Sequence, residues 1–373
     1  MKNNPRTWLE IDENNLISNV RVLRSTGSRK SEFMAVVKAN AYGHGLKEVV
    51  SILKNERSVN WFGVFDEMDA LVVRKYTKKP ILILSSTPIS FWQKAVKNKL
   101  DITISTFSQL EALAKWKGKK PQVHIKIDTG LGRQGFGLND QEKMISILKN
   151  IKNLKIAGLY THFSGMESKE FDKYSKKQFD ELKLWQKKLN SIGQKPRIHA
   201  SATSGALKNI IGETDIARFG IGIYGLWPSD EIKYNFRDKF KLKPVLSWKV
   251  TISEVKKVSK GSFVAYDCTY KTARDSRIAL LPVGYWDGIP RSLSSKGFAI
   301  VNGVRVPIIG RVMMNMCVID VTNVSKVEEG DTATLIGIDK NVEITADEFA
   351  RLADTINYEV VTRINPLIPR VIK

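Results

Sequence analysis

Cysteine is scarce in this chain. Cys268 and Cys317 are the only two in 373 residues. They form neither a disulfide framework nor a metal-ligand cluster, and they suit a reducing compartment with free thiols. No apolar run reaches the ~18 residues of a membrane-spanning helix, so no span is expected. The opening "MKNNPRTWLEID" has no apolar core of signal-peptide length, so export is not expected and a cytoplasmic location is. Acidic residues are also short: 38 Asp+Glu face 60 Lys+Arg, a formal net charge of +22. Such a balance can attract nucleic acid or anionic substrates. The lysines, however, are spread through helix-like segments such as "KYSKKQFDELKLWQKK", which read as solvated faces. No nucleic-acid partner is expected.

What is present is alternation. Eight mostly continuous apolar runs lie at 33–38, 61–65, 81–84, 102–104, 123–128, 156–163, 197–200 and 216–220. Continuous rather than alternating hydrophobicity is expected of parallel strands covered on both faces. Helix-like stretches separate them, among them "TFSQLEALAKW" and "SKEFDKYSKKQFDELKLWQKKL", with Thr106 and Asn139 as candidate N-caps. Eight strand–helix units predict a (β/α)8 barrel, with a doubly wound open sheet as the competing topology. After about residue 237 the pattern changes to short β-rich runs with turn signals, and "VNGV" reads as a tight hairpin. The expected organisation is a barrel over 1–237 and a mostly-β domain over 238–373. The first residues form a strand that packs elsewhere, on the β domain.

In a barrel, chemistry sits at the C-terminal ends of the strands. Those ends carry Lys38 after "FMAVV", Arg133 in the glycine-rich "DTGLGRQGFG", His162 in "YTHFSG" and Arg218 in "IARFG". The seventh and eighth loops supply Thr203, Ser204, Gly220 and Ile221, a position where backbone N–H groups often hold a phosphate. Taken singly, a strand-end lysine is solvated, a histidine is structural and a glycine loop is a turn. Gathered on one rim, they suggest a phosphorylated aldehyde cofactor held covalently by Lys38, namely pyridoxal 5′-phosphate. The desolvated end of an apolar strand favours the neutral amine that this link needs.

The segments "AVVKANAYGHG", "HIKIDTGLGRQGF", "LYTHFSG", "ARFGIGIYG", "PVGYWDG", "GRVMMNM" and "INYEV" occur in this order along the chain. Together they resemble the motifs of the alanine racemase family over nearly its whole length. The resemblance implies an N-terminal barrel, a C-terminal β domain and a homodimer whose active sites are shared between subunits. It implies interconversion of L- and D-alanine by two bases, supplying D-alanine for peptidoglycan. By the same likeness Lys38 holds the cofactor and is one base, and Tyr266 from the partner subunit is the other. Arg218 faces the pyridine nitrogen, and His162 links Arg218 to the catalytic tyrosine. Tyr42, Thr203, Gly220, Ile221 and Tyr358 contact the phosphate. Arg133 and the backbone N–H of Met314 of the partner subunit meet the substrate carboxylate, and Tyr285 of the partner subunit lies at the substrate entrance. Lys126 falls where many relatives carry a carbamylated lysine. No metal is implied, and the small-molecule substrate is alanine.

The chain departs from the commonest family pattern at Asn315, usually Asp, at Met313, often Cys or Ser, and at Ala202, usually Asn. These leave two other readings open. One is a racemase of broader side-chain range. The other is a fold-related decarboxylase, which would call for an acidic partner to the pyridine nitrogen where this chain has Arg218.

Overall fold

The structure, a computed structural model, describes residues 5–27, 30–212 and 214–373. Of the N-terminal stretch read above for a signal sequence, residues 1–4 lie outside the described residues. By its internal contacts the chain divides into two units. One comprises residues 17–41 and 49–243, the other 1–16, 42–48 and 244–373.

Among the described residues nine strands precede residue 244: β1 (Thr7–Ile11), β2 (Glu32–Val36), β3 (Trp61–Val64), β4 (Ile81–Ser86), β5 (Asp101–Ile104), β6 (Gln122–Lys126), β7 (Ile156–Tyr160), β8 (Arg197–His199) and β9 (Ile216–Phe219). Strands β2 to β9 coincide with the eight apolar runs and are all parallel, in the order β8-β7-β6-β5-β4-β3-β2-β9. Pairing of β9 with β2 curls the sheet into a nearly closed barrel and settles the choice against an open sheet. The seam between β8 and β9 carries no regular ladder. It is bridged where Asp215 accepts a bond from the Ile198 N–H at 2.6 Å and the Arg218 N–H donates to Ser201 O at 3.1 Å.

Local chemistry explains the helices between the strands. Asp66 caps the helix Glu67–Arg74 by accepting from the Met68 and Asp69 N–H groups, and Thr106 caps Phe107–Lys115 by accepting from Gln109 N–H. Asn139 does not act as the expected cap. It lies inside a single 3-10 turn, Leu138–Asp140, and the α-helix Gln141–Lys149 begins after Asp140. Inside the barrel Met34, Trp61, Leu82 and Ile216, from β2, β3, β4 and β9, pack as one layer, the stacking expected of such a core.

The second unit contains β1 and nine later strands: β10 (Leu246–Thr251), β11 (Glu254–Val258), β12 (Ser276–Leu281), β13 (Phe298–Val301), β14 (Val304–Ile309), β15 (Cys317–Asp320), β16 (Thr332–Asp339), β17 (Val342–Ile344) and β18 (Arg370–Ile372). They form one sheet in the order β11-β12-β15-β14-β13-β16-β10-β1-β18, with β17 on β16. The first strand of the chain thus lies between β10, antiparallel, and the last strand, parallel. The Trp248 indole ties β10 to β1 by donating to Thr7 Oγ1 at 2.8 Å. The "VNGV" hairpin forms as read: Val301 pairs with Val304 across Asn302 and Gly303, both at positive φ.

One glycine shows how tightly the barrel interior is filled. A Cβ on Gly158, in β7, would lie 2.2 Å from Nδ1 of the buried His124 ring. Gly158→Ala is therefore expected to cost about 1–3 kcal/mol through overpacking, read as a lowered midpoint in urea or thermal unfolding. A midpoint equal to that of the parent chain would show that the ring has room to move.

Candidate active site

Lys38 lies half-buried two residues past the end of β2, and the chain after it takes a conformation that its residue types disfavour. Ala39, Asn40, Ala41 and Tyr42 all have φ between 52° and 54°, a left-handed turn without a glycine. Left-handed geometry costs roughly 1–2 kcal/mol per non-glycine residue, and such strain collects where a chain is held for function. Burial lowers the Lys38 pKa, and the Arg133 and Arg218 charges lower it further. All three factors favour the neutral amine.

Arg218, on β9, is 4% exposed. Nη1 donates to His199 Nδ1 at 2.8 Å and His199 O at 2.9 Å, and Nη2 to Thr161 O at 2.8 Å and Ala200 O at 2.9 Å. These four bonds use both terminal nitrogens. Of the five guanidinium donors, Nε–H is left without a bond among the described residues. The Tyr160 ring stacks on His199 with centroids 4.5 Å apart at 11°, and lies below the Lys126 ammonium at 4.5 Å.

Arg133 sits in a loop built around one carboxylate. Asp128 Oδ1 accepts from the Gly130, Leu131 and Gly132 N–H groups, and Oδ2 accepts from Arg133 N–H at 2.7 Å. Burial pushes the Asp128 pKa up, but the four backbone bonds outweigh it and the net shift is downward. The loop is thereby fixed while the Arg133 side chain stays exposed. Lys126, at the end of β6, has its pKa lowered to about 7 by burial first and then by the charges of Arg218 and Arg133. His162 is half-buried and also falls well below its usual pKa, by burial and then by the Arg218 charge.

Thr203 begins the helix Thr203–Lys208, and its Oγ1 accepts from Gly220 N–H at 3.3 Å, bringing the seventh and eighth loops together. Gly222 lies so close that a Cβ there would stand 2.7 Å from Thr203 Cγ2. Ala202 occupies the N-cap position and offers no side-chain acceptor. The first helical N–H groups, with that of Ile221 nearby, make a donor set suited to a phosphate, while the Gly220 N–H is given to Thr203 Oγ1. An anionic group with a ring-nitrogen acceptor therefore fits what this unit presents: open backbone donors, an unused Arg218 N–H and a lysine poised to be neutral.

The remaining sequence-predicted residues lie in the other unit. Tyr42 is buried, with its ring centroid 6.2 Å from that of Tyr358. Tyr266 is 67% exposed on a short turn between two strained residues, Ala265 (φ 61°) and Asp267 (φ 64°). Tyr285 and Met314 share a junction. The Tyr285 and Trp286 N–H groups donate to Met313 O and Met314 O at 3.0 Å each, an approach close enough that a Cβ on Gly284 would stand 2.0 Å from Met313 O. Tyr285 and Met314 are exposed large side chains, as is Tyr266.

Residues 11–228 match the alanine racemase N-terminal domain, and residues 245–372 match the C-terminal domain. The chain belongs to the alanine racemase family. It is 37% identical to the alanine racemase of Clostridium perfringens, over 98% of this chain and 95% of that one. It is 34% identical to that of Methanococcus maripaludis, over 98% of each. Among solved structures, the Bacillus anthracis alanine racemase with bound L-Ala-P superposes with a TM-score of 0.91 at 32% identity, covering 100% of this chain and 96% of that one. The Clostridium difficile alanine racemase gives 0.92 at 29% identity, covering 100% and 97%.

Within this chain, Arg218 has a histidine partner that the sequence reading did not include. The histidine bonded to Arg218 is His199, and no bond joins Arg218 to His162. His199 was legible as the third residue of the run "RIHA", close to a strand end as Lys38 and His162 are, but that run was read only as a strand.

Lys126 supplies a test with a definite sign. An ordinary lysine titrates near ~10.4, so between pH 7 and that value the unfolded chain holds the proton that the folded chain has lost. Stability therefore rises with pH across this window, and the cost of burying Lys126 is largest at and below its folded pKa of about 7. Relative to Lys126→Met, the parent chain should gain stability from pH 6 to pH 9 in urea unfolding, in buffers purged of carbon dioxide. Parallel pH profiles for the two chains would contradict the lowered pKa.

Proposed function

We propose that this chain interconverts L- and D-alanine with pyridoxal 5′-phosphate, using Lys38 and the Tyr266 of a partner subunit as two opposed bases. Membership of the alanine racemase family makes the chain an isomerase of that kind. The finer reading is carried by the environment of Arg218: a buried cation with four donors committed to the scaffold and one uncommitted.

When bound, the cofactor supplies an aldehyde that links to an amine and a ring that takes up the electron pair left at the α-carbon. The chain's residues do the rest. Lys38 holds the cofactor and, freed by substrate amine, takes or returns the α-proton on one face. Tyr266 of the partner subunit serves the opposite face. Two groups are needed because a single fixed base returns the proton to the side it left. Arg218 would present its Nε–H to the ring nitrogen and, keeping its own proton, would leave that nitrogen unprotonated, which disfavours decarboxylase or transaminase outcomes. His162, which feels the Arg218 charge, links that arginine to the phenol.

Tyr42, Thr203, Gly220, Ile221 and Tyr358 hold the phosphate. Arg133 and the Met314 N–H of the partner subunit orient the substrate carboxylate, with Tyr285 of the partner subunit at the entrance. The lowered pKa of Lys126 gives the neutral amine that adds carbon dioxide, and the resulting carbamate would offset the charge of Arg133. The exposure of Tyr266, Tyr285 and Met314 supports a homodimer in which they are covered. The product serves a peptidoglycan pathway in the cytoplasm.

The test is incubation of the purified, cofactor-loaded protein with L-alanine and separately with D-alanine, followed by chiral chromatography. Both should reach the racemate. Tyr266→Phe should slow turnover by about 10²–10⁴-fold, the usual weight of a general acid–base group, with the cofactor absorption band retained. Wild-type rates in both directions for that variant would remove Tyr266 from the mechanism. Faster conversion of serine or lysine than of alanine would overturn the substrate assignment, a point on which Asn315 bears directly.

A further inference from the structure

Arg218 is the end of a longer chain of hydrogen bonds. His199 accepts from Arg218 through Nδ1 at 2.8 Å. The other ring nitrogen of His199, Nε2, meets His124 Nδ1 at 3.0 Å. His124 Nε2 meets Asp101 Oδ2 at 3.1 Å. Both histidines have no solvent exposure, and Asp101 is 8% exposed. The order runs through the barrel from one end to the other. Asp101 is the first residue of β5, His124 is central in β6, and His199 is the last residue of β8.

The direction of these bonds follows from elementary chemistry. A guanidinium only donates, so His199 Nδ1 must be the acceptor. A neutral imidazole with a bare Nδ1 carries its proton on Nε2, so His199 donates to His124 Nδ1. That nitrogen is then bare, His124 carries its own proton on Nε2, and it donates to Asp101. A carboxylate is an acceptor, so the far end demands the same direction as the near end. Reversing any one link leaves two lone pairs or two protons face to face in a site closed to water. Burial and the adjoining Arg218 charge hold His199 well below its usual pKa, consistent with a single proton on that ring.

We propose that Asp101, His124 and His199 form a one-way hydrogen-bond relay that orients Arg218 and brings it the counter-charge of a carboxylate three bonds away, which makes all three positioning residues. Packing holds both rings in place. Tyr160 stacks on His199, its own hydroxyl bonded within 2.7 Å of Thr103 Oγ1. Trp61 meets His124 edge-on with centroids 5.8 Å apart. Gly158 leaves the space that the His124 ring fills. The consequence for catalysis rests on the reading of Arg218 as the partner of the cofactor ring. The relay itself does not.

The chain has four histidines, few enough for each to be resolved by ¹⁵N magic-angle-spinning NMR of the histidine-labelled holoenzyme, with His124→Gln and His199→Gln for assignment. At pH 7, His124 and His199 should both show a protonated Nε2 and a bare Nδ1. Asp101→Asn keeps an oxygen acceptor and should preserve both tautomers. Asp101→Leu removes the acceptor and should mix them, with kcat falling on the order of tenfold, the usual weight of one buried hydrogen bond, while KM for alanine and the thermal midpoint of Asp101→Asn hold. A protonated Nδ1 on either histidine, or a doubly protonated His124, overturns the relay whatever the activity. Unmixed tautomers and an unchanged kcat in Asp101→Leu overturn it as well. Two Nε2–H histidines in a protein that racemises no amino acid would leave the relay standing and sink the functional reading instead.

Discussion

The burial of one guanidinium constrains much of the barrel. A charge as enclosed as Arg218 is tolerable only if its donors are met. Here the Thr161, His199 and Ala200 carbonyls and the His199 ring meet four of them. Those partners come from the ends of β7 and β8, so the cation also serves as a clasp at the seam where the sheet has no regular ladder. The same bonds that make the charge affordable close the barrel and aim the remaining N–H.

That arrangement places several cations near one another, since Lys38, Lys126, Arg133 and Arg218 each shift a neighbour's pKa. Burial and mutual repulsion push the two lysines toward the neutral form, while an arginine remains charged in the same surroundings. The division of labour follows from residue type: lysines where a neutral amine is wanted, arginines where a permanent donor is wanted. Exchanging Arg218 for lysine would not preserve the site, because a buried ammonium can lose its proton and has no fork of donors to span three carbonyls and a ring.

The strands of the barrel were legible because burial on both faces writes itself as a continuous apolar run. The strand ends were legible for the same reason, since a charged residue such as Lys38 or Arg218 stands out against such a run. His124 and Asp101 were not. A single polar residue inside a strand has no periodic signature, and its partner lies on another strand at a sequence distance that no local pattern encodes. Asn139 misled for a related reason: capping residues recur near helix starts, and here a 3-10 turn moved the cap position on by one residue, to Asp140. The left-handed turn after Lys38 had no sequence signature, because Ala39, Asn40, Ala41 and Tyr42 carry no glycine to mark the unusual backbone.

Strain and placement are linked at both proposed bases. Lys38 is followed by four residues in left-handed geometry, and Tyr266 is flanked by Ala265 and Asp267 at positive φ. Neither turn is chosen by its local sequence, so each must be imposed by its surroundings. Around Tyr266 they are visible. The Val264 N–H donates to Tyr270 O at 3.0 Å, closing the loop at its base. The Asp267 carboxylate lies 3.5 Å from Arg291 and 3.3 Å from Arg311, the latter an ion pair off hydrogen-bond geometry. A side chain held this way is displayed at a fixed angle although most of its surface is open. An ordinary exposed tyrosine would gain nothing from a costly backbone. One that must meet a reacting carbon on another polypeptide gains orientation before the encounter, when the entropy of ordering it has already been met by folding.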